Sequence, residues 1–380
     1  MELVSRHFPK EVKRVGEGAL RVVVVGCRMG AIHARILAQL DEFDLVAVCD
    51  LDELTAQKVA AETGAPRIYT DYATMLEQER PEVVTIATPT ALHAAMTFQA
   101  IEAGVRGICC EKPMATNLAD GREMVERCRE KGIAFIVNHQ RRMGADLVAM
   151  REAIERGEIG ELLAIRAHCA GDLLSDGTHA VDSALWLLGD SEAEWVIAQI
   201  HRQLSPSFSG FRYGHPVESG AMVLVRFANG VRLELFTGDL RDPSRTYQDY
   251  EVVGTKGRLW RVGDKAQPNL FIADGIGGDW VAQRTPDGLR PVRCEANERG
   301  EWRPVPLPTM EPAMVRVYRQ LARMIWHGEE HPLAGEKALR SLEILMAAYE
   351  SARCRRKISL PITQDAFPLE LMLREQGELP

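Results

Sequence analysis

The sequence predicts an α/β protein in two parts: a doubly wound parallel sheet over residues 1–140, then an α+β domain with a large, mostly antiparallel sheet over residues 141–380. Three observations carry this. In the first part, apolar β-branched runs alternate with residues at helix spacing, the pattern of a parallel sheet covered by helices on both faces. The second part runs strand-like segments together, two of them joined by the hairpin turn Ala228-Asn229-Gly230. Finally, a chain of 380 residues exceeds the roughly 250–300 that one hydrophobic core ordinarily holds.

Composition narrows the function classes. A net charge of 46 − 54 = −8 without a basic block argues against nucleic acid and against anionic membranes, both of which need clustered Lys and Arg. No apolar run approaches the roughly 20 residues of a membrane span, and Met1 to Lys10 lacks the apolar core of a signal peptide. The eight cysteines are scattered with no C-x-x-C pair, so neither a metal site nor a redox dithiol is expected. Reduced cysteines inside apolar runs suit a reducing compartment. A cytoplasmic protein is expected.

Taken in order, residues 21–26 read as a strand buried on both faces, followed by Gly26-Cys27-Arg28-Met29-Gly30 and a helix carrying Ile32, Ile36, Leu37 and Leu40. A glycine turn between strand and helix can present backbone amides and the helix N-terminus to a pyrophosphate. Here the turn is one residue shorter than Gly-x-Gly-x-x-Gly and lacks its middle glycine. Gly26, Arg28, Met29 and Gly30 are the candidate contacts. The next strand, 45–50, ends in Asp50, placed to accept hydrogen bonds from an adenosine ribose in a Rossmann sheet or else to cap the helix at 53–63. Leu51-Asp52 follows, with no arginine for a 2′-phosphate, which favours NAD over NADP.

A short strand (67–70), a helix (72–79) and a strand (82–88) lead to Thr88-Pro89-Thr90, with His93 one turn into the next helix. Thr88, Pro89 and His93 are further candidate cofactor contacts. The strand Gly107 to Cys110 then runs into Glu111-Lys112-Pro113. That puts a lysine at the carboxyl edge, where open α/β sheets hold ligands, although Lys-Pro also simply ends many strands. A helix (117–132) and a strand (133–138) complete the alternation. Arg141 and Arg142 follow, either to bind a polyol or anionic group or to open the next helix in solvent.

In the second part a helix (143–157) precedes strands at 162–169, 195–203, 221–227, 231–237, 247–253 and 258–262, a sheet of five or six strands. Residues 204–219, with Phe208, Phe211, Tyr213 and His215, read as a long loop whose aromatics either line a site or pack locally. Residues 274–301 read as an irregular excursion. Helices are expected at 311–327 and 335–354. The chemically informative run is Gly171 to Asp182. Thr178 or Asp176 can cap the helix that follows, leaving His179 in its first turn, where the positive helix end favours a neutral imidazole. Asp182, three residues on, is placed to orient that ring.

The stretches Val25-Gly26 with Met29-Gly30-Ala31-Ile32-His33-Ala34, Ala87-Thr88-Pro89 with His93, and Cys110-Glu111-Lys112-Pro113-Met114-Ala115 resemble the Gfo/Idh/MocA family, relatives of glucose–fructose oxidoreductase and inositol dehydrogenase. The resemblance runs from about residue 20 to 363. It implies a nicotinamide-binding N-terminal domain, with Lys112 beside the nicotinamide and the substrate hydroxyl. Gly171 to Asp182 is similar to the family's Asp-x-Gly-x-His-x-x-Asp, which implies that His179 is the catalytic histidine. Ser175 stands where the family has the first aspartate, and Asp176 follows it.

The expected function is NAD-dependent hydride transfer to or from a secondary alcohol of a sugar, cyclitol or polyol. Lys112 and His179 would be catalytic, with Arg142, Asp176 and His215 on the substrate and Glu111 among the cofactor contacts. The alternatives are an NAD-dependent glycosidase working by transient oxidation and a non-catalytic sensor of dinucleotide or sugar. Architecture and family together suggest a homodimer or homotetramer formed through the C-terminal sheet.

Overall fold

The valine run that opens the chain's first sheet has no polar face, so it can only be buried on both sides. In the computed structural model, which describes residues 18–205, 208–264, 268–275, 280–285, 288–293 and 301–379, that run is the third strand of a six-stranded parallel sheet. The strands are β1 (Leu20–Val25), β2 (Phe43–Cys49), β3 (Arg67–Tyr69), β4 (Val83–Ile86), β5 (Gly107–Cys110) and β6 (Ala134–Val137). Their order is β3-β2-β1-β4-β5-β6, and every pair is parallel. Helices α1 (Gly30–Leu37), α2 (Glu53–Thr63), α3 (Tyr72–Glu79), α4 (His93–Glu102) and α5 (Leu118–Glu130) form the crossovers. Three of them start on side-chain caps: Asp52 accepts from the Leu54 amide, Asp71 from Thr74 and Asn117 from Asp120. The strand order reverses between β1 and β4, which opens a crevice at their carboxyl ends.

The second part contributes α6 (Ala145–Glu155), β7 (Leu162–Cys169), α7 (Gly177–Leu187), β8 (Ala193–His201), the short hairpin β9 (Phe211–Arg212) and β10 (His215–Pro216), β11 (Gly220–Phe227), β12 (Arg232–Thr237), β13 (Asp249–Gly254) and β14 (Gly257–Arg261). After these come β15 (Leu270–Asp274), β16 (Trp280–Thr285), β17 (Gly288–Arg293), β18 (Arg303–Pro304), α8 (Ala313–His327), α9 (Gly335–Cys354), β19 (Ile358–Ser359) and α10 (Pro368–Glu375). A nine-stranded sheet runs in the order β18-β15-β14-β13-β7-β12-β11-β8-β19. Among its pairs only β7 with β12 is parallel.

This sheet is wider than the five or six strands expected, because β15, β18 and β19 add to its edges. The loop expected over 204–219 contains the β9–β10 hairpin. Within the expected excursion, β16 and β17 pair antiparallel, while 276–279, 286–287 and 294–300 lie outside the described residues, as do Cys294 and the leader Met1–Lys10.

The late helices join the two sheets. Val315, Tyr318, Leu321 and Ala322 of α8 are buried in one cluster with Leu20, Val22, Val24 and Leu37. Leu342, Leu345 and Met346 of α9 share a second cluster with Leu118 and Val125 of α5 and with Val196 of β8. Fully burying a Val, Leu or Met side chain is worth about 1.5–3 kcal/mol. α8 thus packs on the first sheet, and α9 ties α5 of the first part to β8 of the second sheet.

Candidate active site

At the crevice, Gly26 has φ +86° and a Cβ built on it would sit 2.4 Å from the Ala87 carbonyl oxygen. Only glycine fits there. Gly30 starts α1, and a Cβ built on it would come within 2.8 Å of Val24 Cγ1, so its absence lets the helix pack close to β1. No side chain caps α1; the Gly26, Cys27 and Gly30 amides are bonded to Cys49, Asp50 and Gly26, which leaves those of Arg28 and Met29 to a ligand. The shortened turn is fastened by Asp50, whose carboxylate accepts from the Cys27 amide at 2.6 Å and from the Asp52 amide at 2.9 Å. Asp52, not Asp50, caps α2. A cleft of about 730 Å³ runs along this edge, lined by Gly26, Arg28, Met29, Asp50, Thr88 and Pro89 among others. These residues fit a dinucleotide: glycines where a Cβ would collide, uncapped amides, and a carboxylate at the end of β2.

Two of the expected cofactor contacts face elsewhere. His93 is buried, with Nδ1 2.9 Å from the Pro113 carbonyl and Nε2 2.9 Å from the Thr88 carbonyl. It fastens two edge loops together rather than facing the cleft. Glu111 also turns inward. Its Oε1 accepts from His33 Nε2 at 2.8 Å and from Asn138 Nδ2 at 2.6 Å. Burial alone would push this carboxyl up, but those hydrogen bonds and the Lys112 charge outweigh it and hold the pKa at about 2. The lowered Glu111 pKa thus adds stability above the ordinary Glu range near ~4.3, which is lost as pH falls toward about 2.

Lys112 leaves the same turn in the opposite direction and donates to the Ser175 carbonyl at 2.7 Å. Ser175 lies just before α7, and His179 is in the first turn of that helix. The His179 ring is buried and its Nδ1 has no partner. Burial first, then the charges of Lys112, Arg141 and His139, push its pKa well below the ordinary value. Lys112 thus reaches the loop that leads into α7, whose first turn carries His179. Around them Asn138 Oδ1, Gln140 Oε1 and Ser175 Oγ are buried polar atoms without partners, as befits a place that receives a polar ligand or water.

Asp176 stands at the N-cap position of α7 but makes no capping bond. Its carboxylate instead accepts from Arg212 Nη1 at 2.9 Å and from the Tyr247 hydroxyl at 2.8 Å. Asp182 does not orient His179. It accepts from Arg142 Nε and Nη2 at 2.7 and 2.8 Å and lies 3.5 Å from His139 Nδ1.

Arg142 corrects a further expectation. Its side chain is completely buried, with Nε, Nη1 and Nη2 all bonded to Asp182 and Asp190, so it is held in the interior rather than offered to a substrate. His215 is likewise buried, with Nδ1 2.9 Å from the Pro216 carbonyl, its ring edge-on to Phe367 and its Nε2 without a partner.

Three residues near the site are not singled out in the sequence, His139, Arg212 and Tyr247, while Tyr213 is one of the loop aromatics left open there between a site and local packing. His139 was the most findable, since it follows β6 at the same carboxyl edge as Lys112. Its Nε2 lies 2.9 Å from Thr178 Oγ1, and its ring meets His179 edge-on at 5.7 Å.

The Arg142 geometry has a measurable consequence. Arg142→Ala strands two carboxylates in the interior and should cost roughly 3–5 kcal/mol of stability, read as a lower denaturant midpoint. Unchanged stability with a raised KM would instead make Arg142 a substrate contact.

Comparison with known proteins bears on the family and the fold. Residues 20–139 match the model of an oxidoreductase family with an NAD-binding Rossmann fold, and residues 170–260 match the GFO/IDH/MocA C-terminal domain. The chain is 28% identical to the D-glucoside 3-dehydrogenase of Escherichia coli over 67% of this chain and 78% of that protein. It is 27% identical to the D-apiose dehydrogenase of Paraburkholderia graminis over 94% of this chain and 92% of that one. Among solved structures, GenD2 from gentamicin A biosynthesis, in complex with NAD, superposes with a TM-score of 0.69 at 26% identity, covering 93% of this chain and 99% of its own. With the NAD-binding and C-terminal models matched in order along one chain, the protein belongs to the Gfo/Idh/MocA family of oxidoreductases.

Proposed function

We propose that the protein transfers hydride between NAD and a secondary alcohol of a sugar, cyclitol or polyol, with Lys112 and His179 as the catalytic pair. One observation carries this reading: the Lys112 ammonium, at the end of β5, donates to the loop that leads into α7, whose first turn holds a buried histidine of lowered pKa, while the cleft lies at the carboxyl ends of β1, β2 and β4 in the same sheet. NAD, when bound, accepts or supplies the hydride. The chain's part is to position the alcohol and manage its proton. Lys112 spends one donor on the Ser175 carbonyl and keeps two others, enough to hold a substrate oxygen and stabilise alkoxide character as the proton leaves. His179, neutral, takes that proton. Asp176, fixed by Arg212 and Tyr247, is positioned to accept from a neighbouring hydroxyl. The D-glucoside and D-apiose dehydrogenases that the chain resembles support this substrate class.

NAD rather than NADP is favoured because Asp50 and Asp52 line the cleft and would repel a 2′-phosphate. Arg28 also lines it, but already lies close enough to Asp52 to help lower that carboxyl, after the larger effect of the Thr55 hydroxyl. Assembly is proposed through the nine-stranded sheet, where Ile197 and Met222, on adjacent strands, are exposed, giving a homodimer or homotetramer. No described helix is long and apolar enough to cross a membrane, and a cytoplasmic site of action suits the buried, unpaired cysteines of the described residues.

With NAD and a panel of sugars, cyclitols and polyols, absorbance at 340 nm should rise for at least one substrate. Lys112→Ala should then lose about 10²-fold or more in kcat, the scale of a positioned acid–base or electrostatic group. Full activity in Lys112→Ala would defeat the assignment. The pH profile offers a separate check on His179. Because its pKa is lowered, the proton-accepting form persists on acidification. The acid limb of kcat/KM should therefore fall below the free-histidine value of about 6.5. A limb centred above about 7 would contradict it.

A further inference from the structure

The cleft that we read as the dinucleotide site is lined by residues of the first part with one exception, Tyr213. This residue comes from the far side of the chain, at the tip of the β9–β10 hairpin. Tyr213 and Gly214 form a two-residue turn with φ +49° and +83°, the mirror-image geometry that hairpins favour. Glycine, asparagine and aspartate are usual at the first of those positions. A bulky tyrosine held in the left-handed region is uncommon there, and such strained residues cluster at ligand clamps.

The surroundings hold that tip over the cleft. The Ala91 amide, in the turn after β4, donates to the Tyr213 carbonyl at 3.3 Å, and a Cβ on Gly214 would come within 2.8 Å of the Ala91 Cβ. Half of the Tyr213 side chain nonetheless remains exposed, and it shares the cleft wall with Pro89, Leu92 and Met96. The Arg212 guanidinium lies 4.9 Å from the ring centroid and donates to the Tyr213 hydroxyl at 3.1 Å. The other side of the same guanidinium donates to Asp172 and Asp176 at 2.7 and 2.9 Å. A half-exposed aromatic ring, backed by a cation and anchored at its backbone, is a rigid stacking surface of the kind nucleotides use.

We propose that Tyr213 is a dinucleotide-binding residue supplied by the C-terminal half, its ring packing on the bound dinucleotide while Arg212 ties it to the loop that carries Asp176. Cofactor and substrate loop are then joined through one side-chain pair. The inference rests on the dinucleotide reading of the cleft.

The test is NADH binding to the full-length protein, followed by nucleotide fluorescence and by stopped-flow displacement, for wild type, Tyr213→Ala and Tyr213→Phe. Folding of each is checked by circular dichroism, with Tyr213→Leu in reserve should the alanine variant unfold. Wild type should bind, Tyr213→Ala should raise both Kd and the dissociation rate by roughly tenfold, as loss of an aromatic stacking partner does, and Tyr213→Phe should stay within about threefold because the ring remains. Wild-type binding with Tyr213→Ala (or Tyr213→Leu) within about twofold of it would overturn the Tyr213 assignment alone, since stacking loss exceeds that. Absence of NADH binding by wild type would overturn the dinucleotide reading on which it rests.

Discussion

The Glu111 carboxylate, out of water and held between His33 and Asn138, is the contact on which the rest of the site depends. His33 belongs to α1, directly after the glycine turn, and Asn138 follows β6. His33 Nδ1 lies 2.6 Å from the Tyr318 hydroxyl on α8, which in turn meets Thr85 of β4 at 3.0 Å. One buried charge thereby joins the turn, two strand ends and a helix from the C-terminal half. A hydrogen bond to an ionised group contributes roughly 1.5–3 kcal/mol, and removing one partner leaves the other uncompensated. Such a network is stable only when complete. It fixes the backbone at Glu111 and so aims Lys112 the other way, toward α7.

A second constraint works from the opposite side. Arg142, Asp182 and Asp190 form an interior ion pair at the root of α7, and His139 leans on the same aspartate. The loop before α7 is pinned at its start, where Glu218 accepts from the Leu173 amide at 2.5 Å and Tyr349 donates to Glu218 at 2.7 Å. Burial chiefly, and then the Asp172 charge, raise the Glu218 carboxyl to about 7. His179 is thus delivered to Lys112 by a helix whose base and approach are both fixed, with little freedom left to the ring.

Much of this was legible in the sequence because it follows from period and position. Strands buried on both faces announce themselves as apolar runs, and whatever follows such a run in a parallel sheet lies at the carboxyl edge. Asp50, Thr88 and Lys112 were located that way. Side-chain direction was not legible. Glu111 and Lys112 are neighbours in sequence, yet one turns inward and the other toward α7, a choice made by His33 and Asn138. Arg142 looked available because its partner Asp182 lies 40 residues away. The direction of His93 is hidden for a related reason: both its ring nitrogens meet backbone carbonyls, which no side-chain pattern reveals. Edge strands as short as β18 and β19 have no period of their own and form because a neighbour offers a free edge.

The central claim is that Lys112 and His179 converge on one substrate oxygen beside the cofactor. A crystal structure of the protein with NAD and a turned-over polyol tests it most directly. The account predicts the reacting carbinol oxygen within hydrogen-bond reach, about 2.6–3.2 Å, of both Lys112 Nζ and a His179 ring nitrogen, with its carbon facing the nicotinamide. A carbinol oxygen touching neither residue, or a nicotinamide ring bound away from the carboxyl edge of β5, would contradict it.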